Sequence, residues 1–151
     1  MKNLVLDTCA ILHIMRNSPQ GKSILKTIEK TLNHRIIVSV VTKAELDSFV
    51  KQNSWRTKKT EMLNNFLQNF IFIDIHQSDT RLLSAYSQID SYSKRKTKDK
   101  NGQLLPGSAR KMGKNDLWIA ATTMVIEGTL ITTDNDFNHL NSNFIDVLNV
   151  Q

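Results

Sequence analysis

Residues 114–137, KNDLWIAATTMVIEGTLITTDNDF, read as a helix followed by a strand, each bringing an aspartate to one place. From Leu117 to Ile126 almost every position is apolar, including Leu117, Trp118, Ile119, Met124 and Val125. A helix that is apolar nearly all round must be covered on most sides, so this one is central. Gly128 is placed to end it as a C′ glycine, and Thr129 to Thr133 continue as a short β-branched strand. A helix feeding a strand across so tight a turn is half of a βαβ unit. Such units build parallel sheets, whose ligands sit at the carboxyl ends of the strands. Asp116 opens the helix and Asp134 closes the strand.

The amino terminus supplies matching pieces. Asn3 to Leu6 form a strand ending at Asp7, and a strand over 35–41 runs into Thr42, Lys43, Ala44 and Glu45. Four acids, Asp7, Glu45, Asp116 and Asp134, therefore stand at the ends of strands or the starts of helices. Asp7 and Glu45 also have a local explanation. Asp7 precedes a helix from about Cys9 to Arg16 and can cap it, while Thr42 to Glu45 has the spacing of a capping box. Asp136 can extend the acid group or cap a short helix over 135–140. Crowded carboxylates repel unless a cation neutralises them, and an oxygen-only set without histidine or cysteine suits Mg²⁺ or Mn²⁺. His13, His34, His76 and His139 share no zinc-ligand spacing.

Four motifs, LVLDTCAIL (4–12), VTKAEL (41–46), NDLWIAA (115–121) and LITTDNDF (130–137), occur in an order that resembles the PIN-domain ribonucleases. Among these the chain looks most like the VapC toxins of bacterial toxin–antitoxin pairs. The resemblance implies one α/β domain over residues 1–151, a three-layer α/β/α sandwich around a mainly parallel sheet. It implies a metal-dependent endoribonuclease with Asp7, Asp116 and Asp134 as principal ligands, and Glu45 and Asp136 as further candidates. Glu45 would orient or deprotonate the attacking water, with Thr8, Asn115 and Thr132 in support. The partners implied are transfer or ribosomal RNA, a small antitoxin and a second copy of the chain.

Charge points the same way. Residues 94–114 contain Lys94, Arg95, Lys96, Lys98, Lys100, Arg110, Lys111 and Lys114 against Asp99 alone, so this stretch carries +7 of a net +6 and the remainder is slightly acidic. A basic block on a near-neutral body favours a polyanionic partner, with Lys94, Arg95, Lys96, Arg110, Lys111 and Lys114 as RNA-binding candidates. A solvated loop is the plainer alternative. Residues 97–113 lose periodicity and read as a loop leading into Asn115 and Asp116. Asp90 lies one turn before Lys94 and can pair with the basic run or join the acids. Tyr86, Tyr92 and Trp55 are candidate stacking groups or packed aromatics.

The rest reads as scaffold. Ser18-Pro19 starts a helix with Ile24, Leu25, Ile28 and Leu32 on one face. A helix from Leu46 to Asn53 precedes another over 55–70, striped by Met62, Leu63, Phe66, Leu67 and Phe70. A strand over 71–75 follows, with Asp74 as a surface residue, then a helix capped by Ser78 and a last edge strand over 143–148. At 151 residues and 40% apolar content the composition is that of a soluble globular chain. No run reaches the roughly 18 apolar residues of a membrane span. A single cysteine, Cys9, fits a reducing cytoplasm. A silent nucleic-acid-binding module and a housekeeping RNA-processing nuclease remain as other readings. A receiver-type domain is disfavoured, because no second acid lies two residues after Asp7 and no lysine ends the 129–133 strand.

Overall fold

The computed structural model describes residues 1–151. Five strands, β1 (Lys2–Leu6), β2 (His34–Ser39), β3 (Ile71–Ile73), β4 (Thr129–Thr132) and β5 (Asp146–Asn149), form one sheet in the order β3-β2-β1-β4-β5. Every pairing is parallel. Parallel neighbours need crossovers, supplied by α1 (Thr8–Met15) and α2 (Pro19–Lys30), α3 (Val40–Gln52) and α4 (Thr57–Leu67), and α5 (Thr80–Ser93) and α6 (Lys114–Val125). A 3₁₀ segment, Asn135–Leu140, joins β4 to β5.

Alternation along the strands gives the sheet two buried faces. Leu4, Leu6, Val38 and Ile131 pack with Ile11, Ile24, Leu46 and Leu63 on one side. Val5, Ile37 and Leu130 pack with Ile89, Leu117, Ala120 and Phe137 on the other. The result is the expected three-layer α/β/α sandwich, with a sheet that is wholly parallel. β1 is central, and the chain leaves it toward β2 on one side and reaches β4 on the other. The crevice outside the carboxyl ends of β1 and β4 is therefore the topological switch point, where this architecture places ligands.

Several boundaries differ from the sequence expectation, each for a physical reason. The second strand stops at Ser39, whose hydroxyl accepts from the Val41 N–H, so Val40 and Val41 start α3 despite their β-branched side chains. Thr42 and Glu45 are consequently inside the helix, and the capping-box reading of Glu45 is overturned. Trp55 and Phe70 flank α4, the third strand ends at Ile73, and Asp79 rather than Ser78 caps α5 through the Leu82 N–H at 3.0 Å. The last strand begins at Asp146.

The end of α6 is also built differently. Glu127, at φ 51°, takes the left-handed position, and the Gly128 N–H reaches the Thr123 carbonyl at 2.9 Å. Gly128 is needed for another reason: a Cβ there would lie 3.1 Å from the Asn3 carbonyl oxygen and 3.2 Å from Val5 Cγ2. Asn3 completes the junction by donating to the Ile126 carbonyl at 2.7 Å. These contacts seat α6 against β1, which fixes where Asp116 stands relative to Asp7.

The α1–α2 turn is tighter still, since a Cβ on Gly21 would fall 2.1 Å from the His13 carbonyl oxygen. Gly21→Ala must push the two helices apart. We expect it to lower stability by about 3 kcal/mol, measured by urea denaturation, whereas Gly107→Ala, in open space at φ 75°, costs only about 1 kcal/mol. A Gly21→Ala variant as stable as wild type would contradict this packing.

Candidate metal centre

Asp7 follows directly from β1, and its position as the N-cap of α1 fixes its rotamer. Oδ1 accepts the Ala10 N–H at 2.7 Å, and Oδ2 accepts the Thr132 hydroxyl. Thr132 in turn accepts the Asp134 N–H at 2.9 Å. One threonine at the end of β4 thus ties the acid of the central strand to the acid of its neighbour. Capping and clustering, posed as alternatives by the sequence, hold together for Asp7.

Glu45 reaches the same place from α3. The Thr8 hydroxyl donates to its Oε1 at 2.8 Å and lies 3.4 Å from the hydroxyl of buried Thr42. Asp116, the third residue of α6, comes from a third element. Its carboxyl oxygen and those of Asp134 and Asp136 lie within 4.8 Å of one another. Asp136 does not cap the short helix: Asp134 is its N-cap, accepting the Asp136 N–H at Oδ1 at 2.8 Å, and the Asp136 carboxylate joins the cluster. Asn115 is exposed, with no side-chain hydrogen bond, and Asp90 is turned away, paired with Lys94 at 3.0 Å.

The electrostatics record this crowding. Burial, then the charges of Asp134 and Glu45, push the Asp7 carboxyl up to about 6 against the lowering effect of its hydrogen bonds. Asp116 is likewise raised to about 6 by desolvation first, then by Asp134, Glu45, Asp7 and Asp136. The Cys9 thiol is pushed up to about 11 by desolvation and by Asp7, Asp134, Asp116 and Glu45, so all four acids surround its position. None of the five acids has a lysine, arginine or histidine partner within 4 Å. An uncompensated set of convergent oxygens is what a hard divalent cation requires, so the residues present fit one.

The basic segment is less uniform than its sequence. It lacks regular structure but is pinned by buried Leu105, by the Arg95 Nε donating to the Leu105 carbonyl at 2.8 Å, and by the Arg110 N–H donating to the Ser93 carbonyl at 2.7 Å. Lys98 and Lys100 line an open depression of about 650 Å³ with Glu127 and Gly128, at the amino-terminal ends of the strands. The other end of the segment approaches the acids. Lys114 begins α6, and Arg110 lies close enough to His139 to lower its pKa after desolvation has done so. His139 shares a 2.7 Å hydrogen bond with Ser93, tying the base of this segment to the 3₁₀ segment that carries Asp136. Neither Ser93 nor His139 stands out in the sequence, because 46 residues separate them. The aromatics are packed: Tyr92 is 1% exposed against His139 and Phe144, Tyr86 lies 4.3 Å from Trp118, and Trp55 meets Phe49 edge-on. Tyr92 cannot stack on a base.

Residues 4–143 match the family model described as PIN domain. The chain belongs to the PIN domain family. It is 29% identical over 129 residues to Ribonuclease VapC1 of Haemophilus influenzae strain R2866, covering 85% of this chain and 84% of that protein. The same fold occurs in VapBC2 from Rickettsia felis bound to a DNA fragment from its promoter, with a TM-score of 0.72, 21% identity and 99% of each chain covered. VapBC-1 from nontypeable Haemophilus influenzae gives 0.72 at 21% identity over 97% of each chain. FitAcB from Neisseria gonorrhoeae gives 0.64 at 23% identity, covering 97% of this chain and 96% of that one.

The raised carboxyls make a prediction about stability. Because the folded pKa of Asp7 lies at about 6 and the unfolded value at 3.8, its favourable contribution is complete below about pH 4 and is lost as pH rises through about 6. Asn at position 7 keeps the capping oxygen and removes the charge. Without divalent ions at pH 7.5, Asp7→Asn should be the more stable protein by on the order of 2 kcal/mol. The difference should vanish near pH 4 in chemical denaturation. A variant less stable than wild type at pH 7.5 would show that the buried charge is not strained.

Proposed function

We propose that this PIN domain is a metal-dependent endoribonuclease acting as the toxin of a toxin–antitoxin pair. The observation that carries the reading is the set of five uncompensated acids at the carboxyl ends of β1 and β4. Its support from relatives is the similarity to Ribonuclease VapC1 and to the VapBC folds.

Asp116, Asp134 and Asp136 would hold Mg²⁺ or Mn²⁺ through their convergent oxygens, with Asp7 adding charge and its remaining lone pairs from below. When bound, such an ion acidifies water and offsets the negative charge that develops on a phosphodiester during in-line attack. Glu45 keeps one carboxylate oxygen free of the Thr8 hydroxyl, so it can orient the attacking water and take its proton. Thr132 holds Asp7 and Asp134 in register. Asn115, exposed at the mouth, acts by contact with substrate rather than by supporting a ligand.

RNA would lie across the mouth with its backbone against Arg110, Lys111 and Lys114, whose side chains are exposed and unpaired by acids. Lys94 is committed to Asp90, and Arg95 to the Leu105 carbonyl, so both serve the segment before they serve substrate. A small antitoxin would silence the enzyme, with a basic side chain competing for the acid cluster.

Purified protein incubated with total RNA should cleave it only with Mg²⁺ or Mn²⁺, and Asp116→Asn should lose at least about a hundredfold in rate. Cleavage that persists in EDTA, or in the Asp116→Asn variant, would refute the assignment. In a bacterial host lacking a partner protein, wild type should arrest growth and Asp116→Asn should not. Joint Arg110→Ala and Lys111→Ala substitution should weaken RNA binding and flatten its salt dependence by about one unit for each phosphate no longer neutralised. An unchanged slope would return those residues to a solubilising role.

A further inference from the structure

Asp134 lies in the short gap between β4, which ends at Thr132, and the 3₁₀ segment that starts at Asn135. No regular backbone ladder holds it, yet it must stay beside Asp116 and Asp136 against their repulsion. Side chains do this instead. Its N–H donates to Thr132 Oγ1 at 2.9 Å, and its Oδ1 accepts the Asp136 N–H at 2.8 Å. Its carbonyl accepts from the Asn149 side chain at 3.1 Å.

The Asn149 side chain does more than cap one carbonyl. The same Nδ2 lies 3.0 Å from Asn135 Oδ1 and 2.9 Å from Asn138 Oδ1. Two N–H groups thus serve three oxygens, one on Asp134 itself and two on the first turn that follows. Asn149 closes β5 and pairs in register with Thr132, so its backbone is set by the same strand end that holds Asp7. The Val150 N–H, donating to the Thr132 carbonyl at 2.8 Å, extends this pairing by one residue.

We propose that Asn149 is a positioning residue of the metal centre: its carboxamide fixes the Asp134 peptide and the following turn, keeping Asp134 and Asp136 converged before a cation arrives. This rests on reading those acids as a cation site. The physical gain is preorganisation. Like charges held together in advance need not be ordered by the ion, so removing the brace weakens binding without touching a ligand. Asn149 itself is half-buried at the end of an edge strand, outside both apolar cores.

Titration of the full chain with Mn²⁺, with free ion read from its paramagnetic resonance signal, tests this. Asn149→Leu is near-isosteric and lacks the donors; Asn149→Ala removes them with less bulk. Both should bind Mn²⁺ about tenfold more weakly than wild type, with melting temperatures in EDTA within about 3 °C of it. The Mn²⁺ concentration for half-maximal RNA cleavage should rise in parallel, while RNA affinity in EDTA stays unchanged. Asp134→Asn is the control. If it weakens Mn²⁺ binding and the Asn149 variants do not, the positioning role is refuted while the metal centre stands. If Asp134→Asn also binds as wild type, the metal reading fails and takes this inference with it. Weakening seen only where both Asn149 variants have lost their fold would likewise overturn it.

Discussion

The structure turns on one buried carboxylate. Asp7 is 3% exposed at the end of the central strand, in a chain whose fold gains nothing in stability from a charge there. Keeping it in place requires the Ala10 N–H from α1 and the Thr132 hydroxyl from β4, and each fixes a further element. Thr132 orients Asp134; Thr8, the next residue along, positions Glu45 on α3. Close seating of Gly128 on β1 then sets the axis of α6 and with it Asp116. Five acids from four segments meet because each segment is packed on the same strand end, Asp134 and Asp136 arriving together at the start of the 3₁₀ segment.

Such a cluster costs stability when no cation is bound, as the upward displacement of Asp7 and Asp116 to about 6 indicates. The protein tolerates this because both faces of the sheet are filled with apolar side chains, and burial of a full core is worth far more than two strained carboxyls. Rigid elements hold the acids together although no lysine or arginine pairs with them. An internal counter-charge would relieve the strain, and none is present within 4 Å.

Much of this is legible in the residues. Asp7, Asp116 and Asp134 can be found because strand ends and the start of an apolar helix mark themselves by periodicity, and parallel topology brings strand ends together. Glu45 falls near the others in the sequence reading, but for a wrong local reason: the β-branched pair Val40-Val41 reads as strand, while Ser39 caps a helix that already contains it. Gly128 shows that the helix must stop, yet the left-handed residue is Glu127, since the demand on Gly128 comes from Asn3 and Val5, more than 120 positions away. Asn149, Ser93 and His139 carry no signal. Their roles exist only through side-chain contacts between distant segments, which neither spacing nor propensity encodes. The basic run is legible as charge, but not that Lys98 and Lys100 stand at the opposite end of the sheet from Arg110 and Lys114.

Whether these acids form a cation site is tested most directly by anomalous diffraction from crystals grown with saturating Mn²⁺. The expected result is a manganese peak between the carboxylates of Asp116 and Asp134, with oxygens at about 2.1–2.2 Å and Asp136 or Asp7 contributing directly or through water. A map with no peak there, or with the cluster closed instead by a lysine or arginine of the same chain, would contradict it.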